Sequence, residues 1–218
     1  MSERAEYALW GSSGHAKVLA EVIASRGGVV VALFDNDPEA ISALPGVPLH
    51  SGTAGFRAWL ASRGSSAPAH GLVAIGGARG RDRLEIQRFL ADHGLLVTPL
   101  VHPRASVCAT AHVGRGSQVL ANALVAADAR IGAATILNHG AQVDHECVVG
   151  DGVHLAPRAT LCGLVRVGDG AMIGAGAVVL PRISIGDDTL VGAGAVVTRD
   201  LPSGVVAMGN PARVVRRT

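Results

Sequence analysis

Every sixth residue from Val101 to Val197 is Val, Ile or Leu, seventeen positions in succession without an insertion. The fifth place of each hexad is restricted as well, to residues such as Ala105, Ser117, Ala123, Thr135, Cys147 and Ala159. Glycine recurs at the second and fourth places, as in Val167-Gly168-Asp169-Gly170. A helix needs apolar residues near a period of 3.6 and a simple strand needs alternation; six serves neither. It suits short strands joined by regular bends, with one large side chain inward, a small one beside it, and glycine relieving the backbone at the bend. Three such strands close an 18-residue triangular coil, and coils stacked at about 4.8 Å make a prism roughly 25–28 Å long. The period alone leaves three-sidedness and handedness open.

Such a core must be built without rings. Aromatic residues are 3% of the 218, while glycines number 29. The charges nearly balance, with 19 Lys+Arg against 17 Asp+Glu, and no basic block suggests a nucleic-acid groove. Cys108, Cys147 and Cys162 form neither a paired framework nor a C-x-x-C motif, which suits a reducing compartment and predicts a cytoplasmic protein. The opening MSERAEYALW has charges where a secretory segment needs an apolar run, and no stretch reads as a membrane span.

Before the hexads the pattern changes. Glu6 to Trp10, Val29 to Phe34, Leu72 to Ile75 and Leu95 to Val97 read as strands; Ala16 to Ser25, Ala54 to Ala61 and Arg81 to His93 read as helices. Their alternation predicts a small parallel α/β sheet, with a boundary near Pro99 that divides the chain into domains 1–98 and 99–218. Gly11-x-x-Gly14 after the first strand can bring helix amides to a phosphate, although it lacks the full dinucleotide spacing and also fits a plain tight turn. Asp35, at the end of the second strand, can accept hydrogen bonds from a ribose or base.

The densest polar stretch is Asn138-His139-Gly140-Ala141-Gln142-Val143-Asp144-His145-Glu146-Cys147. Both histidines hold the third place of their hexads, outside the inward series, and Gly163 lies 18 residues, one coil, beyond His145. A base beside a bare backbone N–H is what acyl transfer requires. A histidine–metal site on the same scaffold is the competing reading. The spacing of His139, His145 and His154 does not match such a site, and no metal is expected. Cys147, in the small inward series, reads as core filler; Cys162, beside Gly163, is a weaker nucleophile candidate.

The marks GSSGHAKVLAEVI, FDND, AIG, VHPRA, the uninterrupted hexads, NHGAQVDHECVVG and the ending GNPAR together resemble bacterial sugar O-/N-acetyltransferases of the sialic-acid O-acetyltransferase and bacillosamine or perosamine N-acetyltransferase type. The resemblance covers essentially the whole chain. It implies a mixed fold, a small N-terminal Rossmann-like α/β domain followed by a left-handed parallel β-helix of hexapeptide repeats. It also implies a homotrimer with sites between subunits, acetyl-CoA as co-substrate, and a nucleotide-linked amino sugar as acceptor in glycan or lipopolysaccharide biosynthesis. Carried over residue by residue, His145 becomes the general base, Glu146 its orienting acid, Asn138 a further catalytic residue and Gly163 the oxyanion donor. Gly163, Gly174, Gly192 and Arg213 are the expected coenzyme contacts; Gly11, Ser12, Gly14, His15, Asp35, Asn36, Arg81 and His139 are the expected acceptor contacts. Gly77-Ala78 departs from the Asp-Asn that often follows the AIG triplet. The expected reaction is N-acetylation. The alternatives are O-acetylation of sialic acid or a related sugar, and a non-catalytic scaffold that binds nucleotide sugars.

Overall fold

The computed structural model describes residues 4–64 and 68–218, so the first residues of the charged opening lie outside the description. The chain forms two compact units, Met1–Ile75 with Glu85–Thr98, and Gly76–Leu84 with Pro99–Thr218. Segment 76–84 thus groups with the hexads, and helix α3 (Gly80–Asp92) spans the division.

In the first unit β1 (Glu6–Trp10), β2 (Val29–Asp35), β3 (Leu49–Ser51) and β4 (His70–Val73) pair in parallel in the order β3-β2-β1-β4. Helix α1 (Gly14–Ser25) buries Ala16, Leu19, Val22 and Ile23, one stripe at helical spacing. It stops at Gly27, whose φ of 77° lets the Gly27 and Gly28 amides turn back onto Ala24 and Ile23 carbonyls. Helix α2 (Gly52–Ser62) supplies Phe56 and Trp59 to a ring cluster with Trp10, Phe34 and Phe89. Two expectations need correction. The strand over 95–97 is only a single bridge, His70 to Leu96, and the fourth strand begins two residues earlier than the apolar run suggested. The three-residue β3 was not foreseen; so short a segment, none of it fully buried, carries no period.

The second unit is a left-handed parallel β-helix. Its two-residue strands stack into three faces. Face one runs through Leu100–Val101, Gln118–Val119, Ile136–Leu137, His154–Leu155, Met172–Ile173 and Leu190–Val191. Face two runs through Ser106–Val107, Leu124–Val125, Gln142–Val143, Thr160–Leu161, Val178–Val179 and Val196–Val197. Face three runs through His112–Val113, Arg130–Ile131, Val148–Val149, Arg166–Val167 and Ser184–Ile185. Every pairing along a face joins residues 18 apart, as Ile136 to His154. A final strand, Val205–Met208, extends face one and pairs antiparallel with Arg213–Arg217.

The sixth-residue series from Val119 to Val197 is buried throughout, whereas Val101, Val107 and Val113 of the first coil are only partly buried. Each fully buried Val, Leu or Ile contributes about 1.5–3 kcal/mol. Three polar side chains occupy the small inward places: Ser117, Thr135 and Thr189, all fully buried. They are satisfied by the backbone. Thr135 Oγ1 donates to Gly150 O at 2.9 Å and accepts from Val153 N–H at 3.1 Å. Among the described residues no helix is long and apolar enough to cross a membrane.

Candidate active site

The hexad builds each corner by one rule. From 116 to 194 every fourth place has positive φ, whether it holds Gly or one of eight other residues that include Asn122, Glu146, Arg158 and Asp188. The fourth-place amide donates to the preceding coil, as Glu146 N–H to Ala127 O at 2.9 Å and Leu164 N–H to His145 O at 3.0 Å. The third-place amide has no such carbonyl. At the corner after face three an aspartate one coil onward supplies the acceptor: Asp151 for Ala133, Asp169 for Asp151, Asp187 for Asp169, at 2.7–2.9 Å. At the histidine pair the preceding side chain does so, Asn138 Oδ1 for His139 and Asp144 Oδ1 for His145, whereas Ala121, Ala127, Ala175 and Ala193 follow residues with no side-chain oxygen. At Gly163 the preceding residue is Cys162, whose side chain has no oxygen to offer. Among the described residues the Gly163 N–H has no hydrogen-bond partner.

His145 and Gly163 share the corner after face two. A Cβ built on Gly163 would collide with the His145 ring, at Nε2 and at Cε1. The imidazole therefore lies across the bare α-carbon, with Nε2 nearest. Its Nδ1 is 3.1 Å from Glu146 Oε2, and the left-handed turn at Glu146, φ 55°, brings that carboxylate back to the ring. With the ring proton held on Nδ1 by the acid, Nε2 presents a lone pair. Both side chains are about half exposed, so solutes reach them. Cys147 is inward and buried; its Sγ donates to Cys162 O at 3.1 Å and burial pushes its thiol up to about 11. The Cys162 thiol is raised too, first by burial and then by Asp144.

Asn138 and His139 stand on a different corner, after face one, separated from His145 by the strand Gln142–Val143. His139 is exposed, and its Nδ1 lies 2.9 Å from Asn138 Oδ1. On the other side Asn138 Nδ2 is 3.3 Å from His154 Nε2. Gly174 and Gly192 follow Asn138 in its column. A Cβ on Gly174 would sit 2.5 Å from Ala193 N, and one on Gly192 2.8 Å from Met208 Cγ. Their bareness is accounted for by coil stacking. Arg213 lies on the exposed terminal strand with Nη1 donating to Ala212 O at 2.8 Å.

In the first unit the β1–α1 turn gathers four of the expected residues. Gly11 has φ 113°, and a Cβ there would lie 2.6 Å from Ala74 O, so only glycine fits. Ser12 N–H donates to Asp35 Oδ2 at 2.8 Å, while Asp35 Oδ1 accepts from Asp37 N–H at 3.1 Å. Ser12 Oγ pins the following loop, donating to Ile41 O at 2.8 Å and accepting from Ala43 N–H at 3.0 Å. Gly14 opens α1 with free space around it, and His15 follows, half-buried. Asn36 is exposed beside Asp35. Arg81 belongs to the second unit, where it pairs with Asp188.

Two residues of the second unit escaped the sequence. Arg83 is 1% exposed and His154 6%. His154 holds a sixth place, which points outward, yet segment 76–84 covers it: Gly77 N–H donates to His154 Nδ1 at 2.9 Å. Nothing in the hexad pattern announces a cover supplied from outside the repeat. Two more arginines, Arg182 and Arg199, lie exposed on the His145 corner, one coil beyond Leu164 and two coils beyond Gly163. Among the described residues no three His, Cys, Asp or Glu side chains group as a metal site.

Comparison with known proteins places both units. Residues 7–86 match the PglD N-terminal domain, and residues 165–199 match the bacterial transferase hexapeptide (six repeats). The perosamine N-acetyltransferase from Caulobacter crescentus, solved as a mutant with CoA and GDP-perosamine, is 38% identical over 96% of this chain and 96% of its own, with a TM-score of 0.88. PerB from the same organism, solved with the same two molecules, is 40% identical over 96% and 97%, with a TM-score of 0.87. The acetyltransferase domain of PglB from Neisseria gonorrhoeae, solved with acetyl coenzyme A, is 32% identical over 98% of this chain and 100% of its own, with a TM-score of 0.85. WeeI from Acinetobacter baumannii is 27% identical over 96% and 99%, with a TM-score of 0.80. A comparison with curated proteins returned no match.

Proposed function

Because this chain belongs to the hexapeptide-repeat sugar acetyltransferases, we propose that it transfers an acetyl group from acetyl-CoA to the amino group of a nucleotide-linked deoxyamino sugar. The observation that carries this is His145 Nε2 lying across Gly163, whose amide is unclaimed. The amine nitrogen attacks the thioester carbonyl, forming the C–N bond while the carbonyl electrons move to oxygen. His145 Nε2 takes the amine proton, and Glu146 holds Nδ1–H and stabilises the imidazolium. The Gly163 N–H meets the oxyanion. Collapse breaks the C–S bond, and the imidazolium returns its proton to the departing sulfur. Asn138 and His139 belong to the acceptor side of the reaction.

Nucleotide binding falls to the first unit, at Gly11, Ser12, Gly14, His15, Asp35 and Asn36. The amides at the start of α1 suit a phosphate, since no side chain crowds Gly14. The coenzyme runs from Gly163 along its own corner. Gly174, Gly192 and Arg213 remain candidate contacts, and Arg182 and Arg199 add positive charge for its phosphates.

The catalytic unit works as a trimer in the cytoplasm. The outward positions of face two, Ser106, Leu124, Gln142, Thr160, Val178 and Val196, carry no charge. One edge of that face, the corner after face one, bears His102, Arg104, His139 and Arg158. The other edge bears Asp128, Asp144 and Glu146 over neighbouring coils, level with that basic stretch, and Arg182 and Arg199 only in later coils. Three copies with face two turned to a threefold axis set the basic corner of each against the acidic corner of the next. His139 of one copy then approaches His145 of its neighbour. A panel of nucleotide-linked sugars, amines against the matched alcohols, with release of coenzyme thiol as the readout, tests the reaction. Faster release with an alcohol than with any amine would make it an O-acetyltransferase.

A further inference from the structure

Arg83 is among the largest fully buried side chains of the protein, and it takes no part in the chemistry above. Its guanidinium is spent on carbonyls. Nε donates to Ala134 O at 3.0 Å, Nη1 to Gly77 O at 3.1 Å, and Nη2 to Gly152 O at 2.6 Å and Val153 O at 3.3 Å. Burial lowers it to about 10, so it stays charged at neutral pH. Around it, segment 76–84 lies against the solenoid backbone. A Cβ on Gly152 would come 2.8 Å from Gly80 O, and a Cβ on Gly80 would strike Gly152 O.

Gly77 is thereby held through both of its flanking peptide groups. Its carbonyl accepts from Arg83, and its N–H donates to His154 Nδ1 at 2.9 Å. A backbone N–H can only donate, so Nδ1 of His154 carries a lone pair and the neutral ring bears its proton on Nε2. The Nε2–H edge of the ring packs 3.3 Å from Asn138 Nδ2, a contact between two donors and not a hydrogen bond, while Asn138 Oδ1 meets His139. Arg83, Gly77 and His154 form one hydrogen-bonded path from a buried cation, and the His154 ring at its end packs against Asn138 at the acceptor corner.

We propose that Arg83 is a positioning residue: by clamping Gly77 it fixes the tautomer and plane of the His154 ring, and through the packing of that ring the Asn138 side chain. The effect on rate rests on the proposed acetyl transfer; the effect on the ring does not. Two measurements test it. In wild type, the ring nitrogen signals of His154 in ¹⁵N-histidine spectra should report a neutral Nε2–H ring between pH 6 and pH 8. A ring protonated on Nδ1, or a tautomer mixture, overturns the proposal, and this needs no variant to fold. In turnover, Arg83→Met should lower kcat roughly tenfold to a hundredfold and leave KM for acetyl-CoA within about twofold. The double variant Arg83→Met/His154→Gln should be no slower than His154→Gln alone. Multiplying losses would mean that Arg83 acts elsewhere and would overturn the path. If wild type releases no coenzyme with any acceptor, the acetyltransferase reading falls while the ring spectrum still decides the clamp.

Discussion

The imidazole of His145 rests on the α-carbon of Gly163, one coil further along the chain, and the glycine amide beside it is unclaimed. The His145 ring is half exposed and can swing aside. Gly163→Ala should therefore fold with a melting temperature within a few degrees of wild type, yet lose about tenfold or more in kcat because the methyl displaces the base. Thermal melts and turnover measured on one preparation separate the two effects. Unchanged kcat would show that the ring position does not matter.

The edges of face two set the expected assembly. Arg158→Glu places an acid on the basic corner, against the acids of the next copy. Light scattering after size exclusion should find three chains per particle for wild type and mostly single chains for the variant. A wild-type monomer would remove the trimer, and an intact Arg158→Glu trimer would move the interface to another face.

Thiol chemistry offers a separate check. Burial holds the Cys147 thiol near 11, so its thiolate fraction at pH 8 is about 10⁻³. Maleimide on the folded protein should label Cys108 and Cys162 before Cys147. The linkage has a definite sign. The folded thiol pKa lies above the ordinary thiol value of about 9, so this group stabilises the fold below about pH 9 and the contribution is lost as pH climbs towards 11. Fast labelling of Cys147 in native protein would contradict its place in the core.

Depth in the solenoid should grade the cost of truncation. Leu155 is fully buried in a middle coil, so Leu155→Ala should cost about 2–5 kcal/mol in denaturant unfolding. Val101→Ala, at a half-buried position of the first coil, should cost clearly less. Equal losses would mean that the first coil is as enclosed as the middle.

The solenoid was legible because its pattern is local and repeated. The large inward residue, the small one beside it and the turn at the fourth place need only neighbours 18 residues away. The His145–Gly163 pair follows from the same arithmetic. His154 and Arg83 do not, because segment 76–84, outside the repeat, covers the one and carries the other into the solenoid backbone. Nor could spacing separate Asn138 from His145 by a corner without knowing which hexad begins which face. In the first unit Gly11 and Asp35 were visible as a turn and a strand-end acid, but the bond between Ser12 N–H and Asp35 depends on the pairing of β1 with β2.

The most direct test of the account is coenzyme release by wild type and by His145→Ala, at saturating acetyl-CoA and nucleotide-linked amino sugar. The side chain is exposed, so the variant should fold normally, and its kcat should fall by roughly 10²-fold or more. A folded His145→Ala protein that turns over at the wild-type rate would show that proton removal lies elsewhere.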